Sequence, residues 1–331
     1  MKKTDRPFVY GDRLMRERNY LFDNIKFFMI FFVVFAHLLE PEFGDSTVKA
    51  IYSVIYSFHM PVFIFVMGYF AKFSPAKIFR SVLLPYAVFQ VLYLLFEFFV
   101  LGKNGGFVLQ FSRPYWIMWF LLVSFFYHAF IPLFDCQKKS SQYIFLAASL
   151  IAALLAGYDK TISYHMSLSR FFVFLPFFLA GFYYGKSEKK LPANTLTKAL
   201  SAVAVLAAAV VLVAMNPDPQ ILYGSYPYEK LHYGPLIRLF ITAAACCWIV
   251  FWLVWTPKIR IPFVSTAGRN TLTIFLIHGF IVKYLNKTGI LSYETAANIS
   301  IAFLISVLIL ICLGNNQAGK LMSVFRVKSK E

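Results

Sequence analysis

Residues 199–215 read ALSAVAVLAAAVVLVAM without a single charge, and segments of this kind recur along the whole chain. About 20 consecutive apolar residues fill the hydrocarbon core of a bilayer. Once inserted there, a backbone must satisfy its own N–H and C=O groups, which helices do within one segment. Ten such segments can be read, near 21–39, 48–70, 79–101, 115–134, 142–157, 168–185, 196–215, 234–255, 262–284 and 296–314. Hydrophobic residues make up 60% of the chain and charged ones only 14%, which excludes an ordinary soluble domain. The expectation is an all-α integral membrane protein, a polytopic bundle of about ten transmembrane helices over 21–314. A basic N-terminal segment, 1–20, precedes it and a basic tail, 315–331, follows it. Pro61, Pro85, Pro132 and Pro176, in or near these segments, predict kinks or broken helices.

An even number of spans puts both termini on one side, and the charges between spans agree. One set of connections carries Lys72, Lys77, Arg80, Lys138, Lys139, Lys186, Lys189, Lys190, Lys198, Lys258 and Arg260, with further basic residues in both terminal segments. The alternate connections hold only Lys49, Lys103, Arg113, Lys160, Lys230, Lys283 and Lys287. The positive-inside rule then places both termini in the cytoplasm and the chain in the plasma membrane. The formal net charge of +17 is on this reading topology and anionic-lipid contact, because no basic helix or aromatic-interleaved groove offers a nucleic-acid surface. A cleaved signal peptide is excluded by the polar stretch before the first span, that span's length and the lack of a small-x-small site. Cys136, Cys246, Cys247 and Cys312 form no disulfide or metal framework, and no signature for a metal or tightly bound cofactor is present. No internal repeat or second domain is evident.

Ionisable residues inside spans therefore draw attention: Asp23, Lys26, His37, His59, Glu97, His128, Arg170, Arg238, Arg269 and His278. At the bilayer centre a charge costs about 2.5–3.5 kcal/mol on insertion scales, so such residues face a bundle interior or a wet cavity. For Arg238, Arg269 and Glu97, snorkelling to the interface is an equal reading. Eleven positions from Lys26 to His37 make three helical turns and about 20° more, so the two share a face about 16 Å apart along the axis. Asp23, three residues before Lys26, can pair with it. For His37 the competing reading is an interfacial histidine beside Glu40, and for Lys26 it is snorkelling.

The segment LFDNIKFFMIFFVVFAH resembles the first helix of membrane acyltransferase family 3, whose hallmark is a basic residue, ten others and a histidine. Lys26 and His37 match it. SFHMPVFIFVMGYFAK resembles the family's second apolar stretch, through Phe58, Met60, Pro61, Phe63, Phe65, Gly68 and Tyr69. KIFR resembles its basic R-x-x-R turn, with Lys77 in place of the first arginine and Arg80 as the second. YWIMWFLL, LSRFFVFLPFFLAGFYYG and GRNTLTIFLIH also look like family segments, closest to the fucose 4-O-acetylase-like branch.

That resemblance implies transfer of an acyl group, usually acetyl from acetyl-CoA, to a hydroxyl of a cell-surface or lipid-linked sugar. It implies His37 as general base or acyl relay, with Lys26 beside it, and Lys77 and Arg80 as binders of the donor phosphates. An imidazole is a suitable base for a sugar hydroxyl. Around these the candidate acceptor or cavity residues are Asp23, His59, Trp119, Arg170 and His278. His278 should sit at a height similar to His37, although an interhelical hydrogen bond explains it equally well. His59, beside the Met60-Pro61 break, admits structural and functional readings alike. Trp119 is the better sugar-stacking tryptophan of the pair with Trp116, otherwise an aromatic belt. Arg170 can hold a sugar phosphate or an acyl oxyanion. The chain is compatible with a homodimer. With only a short tail after the last span, direct acetylation or relay to a separate protein is expected. The alternative from another class is an exporter of a glycan or lipid-linked intermediate, which a bundle with buried charges also suits.

Overall fold

The structure, a computed structural model, describes residues 18–102 and 107–325. Lys2, Lys3, Arg6, Arg13, Arg16, Lys103, Arg326, Lys328 and Lys330, and with them most of the expected N-terminal segment and part of the tail, lie outside the described residues. Helices are the regular secondary structure of the described residues, with no strand among them. The main elements are α1 (Tyr20–Leu39), α2 (Ser46–Tyr56), α3 (His59–Phe70), α4 (Leu84–Phe99), α5 (Trp119–Ala129) and α6 (Lys139–Leu155). They continue with α7 (Leu168–Lys186), α8 (Thr195–Met215), α9 (Pro235–Trp255), α10 (Pro262–Arg269), α11 (Thr271–Thr288) and α12 (Thr295–Leu313).

Among the described residues, seven helical stretches are long and apolar enough to cross a membrane: Tyr20–Glu42, Ser46–Phe70, Pro75–Phe99, His165–Lys186, Thr195–Met215, Pro235–Trp255 and Thr295–Leu313. The other three expected spans are helical but differ in form. Two are the shorter apolar helices Trp116–Ala129 and Lys139–Leu155. The third is interrupted at Asn270, whose side-chain amide donates to the carbonyls of Gly314 and Asn315, 3.1 Å from each, and so separates α10 from α11. The expected span 48–70 is likewise broken at Ser57–Phe58, between α2 and α3. Pro61 and Pro132 sit in first turns, where a missing N–H costs no helical bond, whereas Pro85, just past the widened turn Phe79–Leu83 of the stretch Pro75–Phe99, and Pro176 lie within continuing helices.

α1 is the central element. It packs against α3, α10, α11 and α12, and buried side chains lie all round it, from Leu21 and Phe22 through Met29 and Ile30 to Val34, Leu38 and Leu39. A helix that is apolar on every side belongs inside a bundle. α8 instead turns Val203, Leu206 and Val210 outward, as a lipid-facing helix does. The glycines set the closest approaches. A Cβ on Gly68 of α3 would fall 2.1 Å from the Phe178 carbonyl oxygen of α7, and one on Gly181 would fall 2.0 Å from that of Phe65. Small residues let helix backbones come this near in a membrane. Gly268 plays the same part between α10 and the Asp23 carbonyl of α1. Because backbone cannot move aside as a side-chain tip can, Gly181→Ala should force α3 and α7 apart and cost about 1–3 kcal/mol. Its thermal unfolding in detergent should fall several degrees below that of Gly44→Ala, where nothing lies within 4 Å. Equal unfolding temperatures would contradict so close a crossing.

Arg18, Asp23, Lys26, Lys72, Asp135 and Lys186 line one open cavity of about 930 Å³ at one end of the bundle. His37, Glu40, Tyr164 and Gln220 gather at the other. The polar stripe on α1 thus joins two differently lined ends.

Candidate functional site

At the first end, the Lys26 Nζ lies 3.0 Å from Asp23 Oδ1, one turn earlier on α1, and Arg18 Nε donates to Asp23 Oδ2 at 2.6 Å. Lys26 also faces a second cavity, of about 290 Å³, where its neighbours include Lys77, His128, Phe63, Phe120 and Phe275. Two ammonium groups therefore stand in a mostly aromatic and aliphatic passage. Arg80 does not line it. Its Nε donates to the Val324 carbonyl at 3.1 Å, from a turn in which the Leu84 N–H reaches back five residues to Phe79. Such widened turns recur at functional sites. Of the expected donor pair Lys77 and Arg80, the structure thus places Lys77 in this passage together with Lys26 and leaves Arg80 outside its lining.

At the other end, a third cavity of about 320 Å³ is lined by His37, Glu40, Tyr56, Trp116, Trp119 and Arg170, among others. His37 Nδ1 lies 3.2 Å from the Tyr56 hydroxyl and 3.6 Å from Glu40 Oε2, one turn further along α1. With the proton on Nδ1, donated to the Tyr56 hydroxyl and close to the carboxylate, the lone pair is left on Nε2. Glu40 in turn receives the Tyr223 hydroxyl at 3.4 Å on its other oxygen, and Tyr223 meets Tyr52 at 2.9 Å. Base, orienting acid and supporting hydroxyls form one connected set. The Trp116 ring lies 4.4 Å from the imidazole, centroid to centroid, with Lys283 Nζ 4.3 Å from the ring centroid on the indole. Trp116 has φ +33°, a left-handed value for a bulky side chain, so its backbone is strained where it meets His37.

His278 stands beside His37, ring centroids 5.9 Å apart. Its Nδ1–H donates to the Ile274 carbonyl at 3.0 Å, whereas Nε2 is buried without a hydrogen-bond partner. Among the described residues no carboxylate orients it, and it does not line the cavity, so His37 is the better placed base. His59 is buried at the α2–α3 break, with Nδ1 2.9 Å from the Ile55 carbonyl and its ring against Tyr56; it lines neither polar end. It supports the shape of the site. Trp119 and Arg170 come together: the guanidinium carbon lies 4.8 Å from the Trp119 ring centroid and 5.2 Å from that of Tyr164. Arg238, open to a snorkelling reading from sequence, is instead buried and donates to the carbonyls of Ala153 and Tyr226. Arg269 pairs with the Asn316 side chain.

Met60 lines both the Lys26 cavity and the His37 cavity. One side chain is therefore a shared wall between the passage with two cations and the chamber with the base. Tyr56 and Tyr223 were not among the candidates read from sequence; Trp116 entered only as the weaker of two tryptophans and Glu40 only as the neighbour of an interfacial His37. For Glu40 a signal existed, its i+3 position after His37. Among the described residues no group of three or more His, Cys, Asp and Glu side chains is arranged to hold a metal ion.

A family model described as an acyltransferase domain, acyltransferase family 3, matches residues 19–314. The nodulation protein NolL of Sinorhizobium fredii is 27% identical over 301 residues, covering 80% of this chain and 78% of that protein. No solved structure matches the chain.

Proposed function

The chain belongs to acyltransferase family 3, and on that premise we propose that it moves an acetyl group from acetyl-CoA in the cytoplasm to a sugar hydroxyl reached from the opposite face of the plasma membrane. Membership of an acyltransferase family favours this over export of a finished glycan. The observation that carries the reading is the shared Met60 wall between the cavity of Lys26 and Lys77 and the cavity of His37 and Glu40.

Each group has a part in this scheme. Lys77 attracts donor phosphates, with Arg80 adding positive charge from outside the cavity, and the apolar lining of the passage accommodates the uncharged pantetheine arm. Asp23 and Arg18 hold Lys26 in place at the entrance. His37 Nε2 takes the proton of the acceptor hydroxyl as its oxygen attacks the thioester carbonyl carbon. The carbon–sulfur bond then breaks, and the coenzyme leaves as thiolate to be protonated. Glu40 stabilises the imidazolium that forms, and the aromatic walls contributed by Trp116 and Trp119 give the sugar ring stacking surfaces and exclude water.

Purified protein in liposomes, given labelled acetyl-CoA and a panel of sugars, should release free coenzyme A in step with sugar acetylation. A carrier would leave the thioester intact, and that result would overturn the proposal. Within the same assay, Lys77→Gln should raise the donor KM severalfold with little change in kcat, the pattern of lost uniform binding. Arg80→Gln should raise it less, since that side chain stands outside the cavity. An unchanged donor KM in both variants would reduce the pair to topological charges.

A further inference from the structure

Arg170 is a cation buried in the His37 cavity, 8% exposed, and no carboxylate lies within 4.0 Å of it among the described residues. Its protein hydrogen bonds go to neutral acceptors: Nε donates to the Tyr223 carbonyl at 3.1 Å and Nη2 to the Ser225 hydroxyl at 3.4 Å. Trp119 and Tyr164 present ring faces to it, which attract a cation without neutralising it. The nearby acid of this chamber, Glu40, is engaged with His37 and Tyr223. A guanidinium taken out of water with no counter-charge is costly to keep. A charged fork that fixes its orientation on neutral partners and faces a cavity is instead built for an anion that arrives from outside.

The surroundings narrow the kind of anion. Tyr164, Tyr226 and Gln220 line the same cavity, so it holds separate hydroxyl and amide donors besides the guanidinium. Tyr226 lies in the connection between α8 and α9, where burial pushes its pKa above the ordinary phenol value. A planar carboxylate offers two oxygens to one fork. A phosphate offers acceptor oxygens in a tetrahedral spread, which matches a fork surrounded by separate donors. Resting on the acyl-transfer reading above, we infer that the acceptor is a sugar bearing a phosphate, held by Arg170 while its hydroxyl faces His37. A sugar phosphate in solution and a sugar on a lipid phosphate present the same group.

The test uses the full chain in lipid nanodiscs. Glucose, galactose and fucose are each presented as the dodecyl glycoside, the dodecyl uronoside or 6-carboxylate analogue, the free sugar phosphate, and the dodecyl phosphodiester. Binding is read without donor, from tryptophan fluorescence, because Trp119 lies against the guanidinium. The wild-type protein should bind at least one phosphate-bearing form about tenfold or more tightly than its neutral glycoside. Preference for both phosphate forms points to the phosphate alone, and preference for the phosphodiester points to a lipid carrier; either supports the inference. Arg170→Gln should erase the difference while leaving the weak neutral binding unchanged, and Arg170→Lys should restore part of it. Equal binding of neutral and phosphate forms by the wild type, preference for the carboxylate forms, or an equal loss for all forms in a folded Arg170→Gln protein would overturn it. The wild-type comparison stands even if the glutamine variant does not fold. Since no donor is present, phosphate selectivity can hold while acetyl transfer fails, or the reverse, so the two readings fall separately.

Discussion

His37→Ala is expected to lower kcat for acetyl transfer by at least about 10²-fold, the low end of what a positioned general base contributes. The protein should still fold, because the side chain lines a cavity and contributes little to the apolar core around α1. Measurement requires gel filtration and thermal unfolding of the variant beside its rate with labelled acetyl-CoA. Glu40→Gln gives the finer comparison. An amide keeps the shape but cannot stabilise an imidazolium as a carboxylate does, so kcat should fall with little change in acceptor KM. Activity of a folded His37→Ala protein within a few-fold of wild type would remove the histidine from the chemistry. In that case His278, with its buried and unpartnered Nε2, is the next residue to replace.

The reason to favour His37 lies in its surroundings rather than in its depth. Both imidazoles use Nδ1 locally and leave Nε2, yet only His37 has a carboxylate behind it and a cavity in front. An imidazole becomes charged in the transition state of proton transfer. A nearby fixed carboxylate stabilises that charge, whereas a backbone carbonyl such as that of Ile274 offers only a partial one.

The legible part of this site follows from helical periodicity. Lys26 and His37 lie on one regular helix, so their shared face follows from spacing alone, and the Asp23–Lys26 pair follows from the i,i+3 rule. A charge inside an apolar span is conspicuous for the same reason, which is how Arg170 and His278 stood out. Tyr56 and Tyr223 did not, and Trp116 did only as the weaker of two tryptophans. Trp116 lies in a strained turn before α5, and Tyr223 ends the short helical stretch Pro219–Tyr223 between α8 and α9. No period links such segments to α1, and in this aromatic-rich chain one more tyrosine near a span end carries no signal of its own. Pro61 announced a break in the second span, which falls a few residues before it at Ser57–Phe58, whereas the break at Asn270 escaped for a related reason: its cause is a hydrogen bond to residues more than forty positions away. Conversely, Arg80 and His59 were visible as residue types, but their partners, the Val324 and Ile55 carbonyls, depend on tertiary placement.

The second large effect concerns sidedness. Along α1, Lys26 and His37 are separated by about 16 Å of rise, roughly half of a hydrocarbon core near 30 Å thick. Their cavities meet at Met60, a flexible side chain that can yield without backbone movement. A bulky, charged nucleotide can therefore stay at the basic end while a slender thioester arm passes the Met60 wall. On the proposed scheme the acyl group crosses and the coenzyme does not. In sealed right-side-out vesicles, acetyl-CoA loaded only into the lumen should support acetylation of an acceptor added outside. Donor and acceptor both supplied outside should give no activity above background. Met60→Trp, filling the wall between the cavities, should suppress transfer from the lumen while leaving donor binding at Lys77 in place. Equal activity with both substrates outside would mean that donor and base share one opening, and the polar stripe on α1 would then be a structural feature rather than a path.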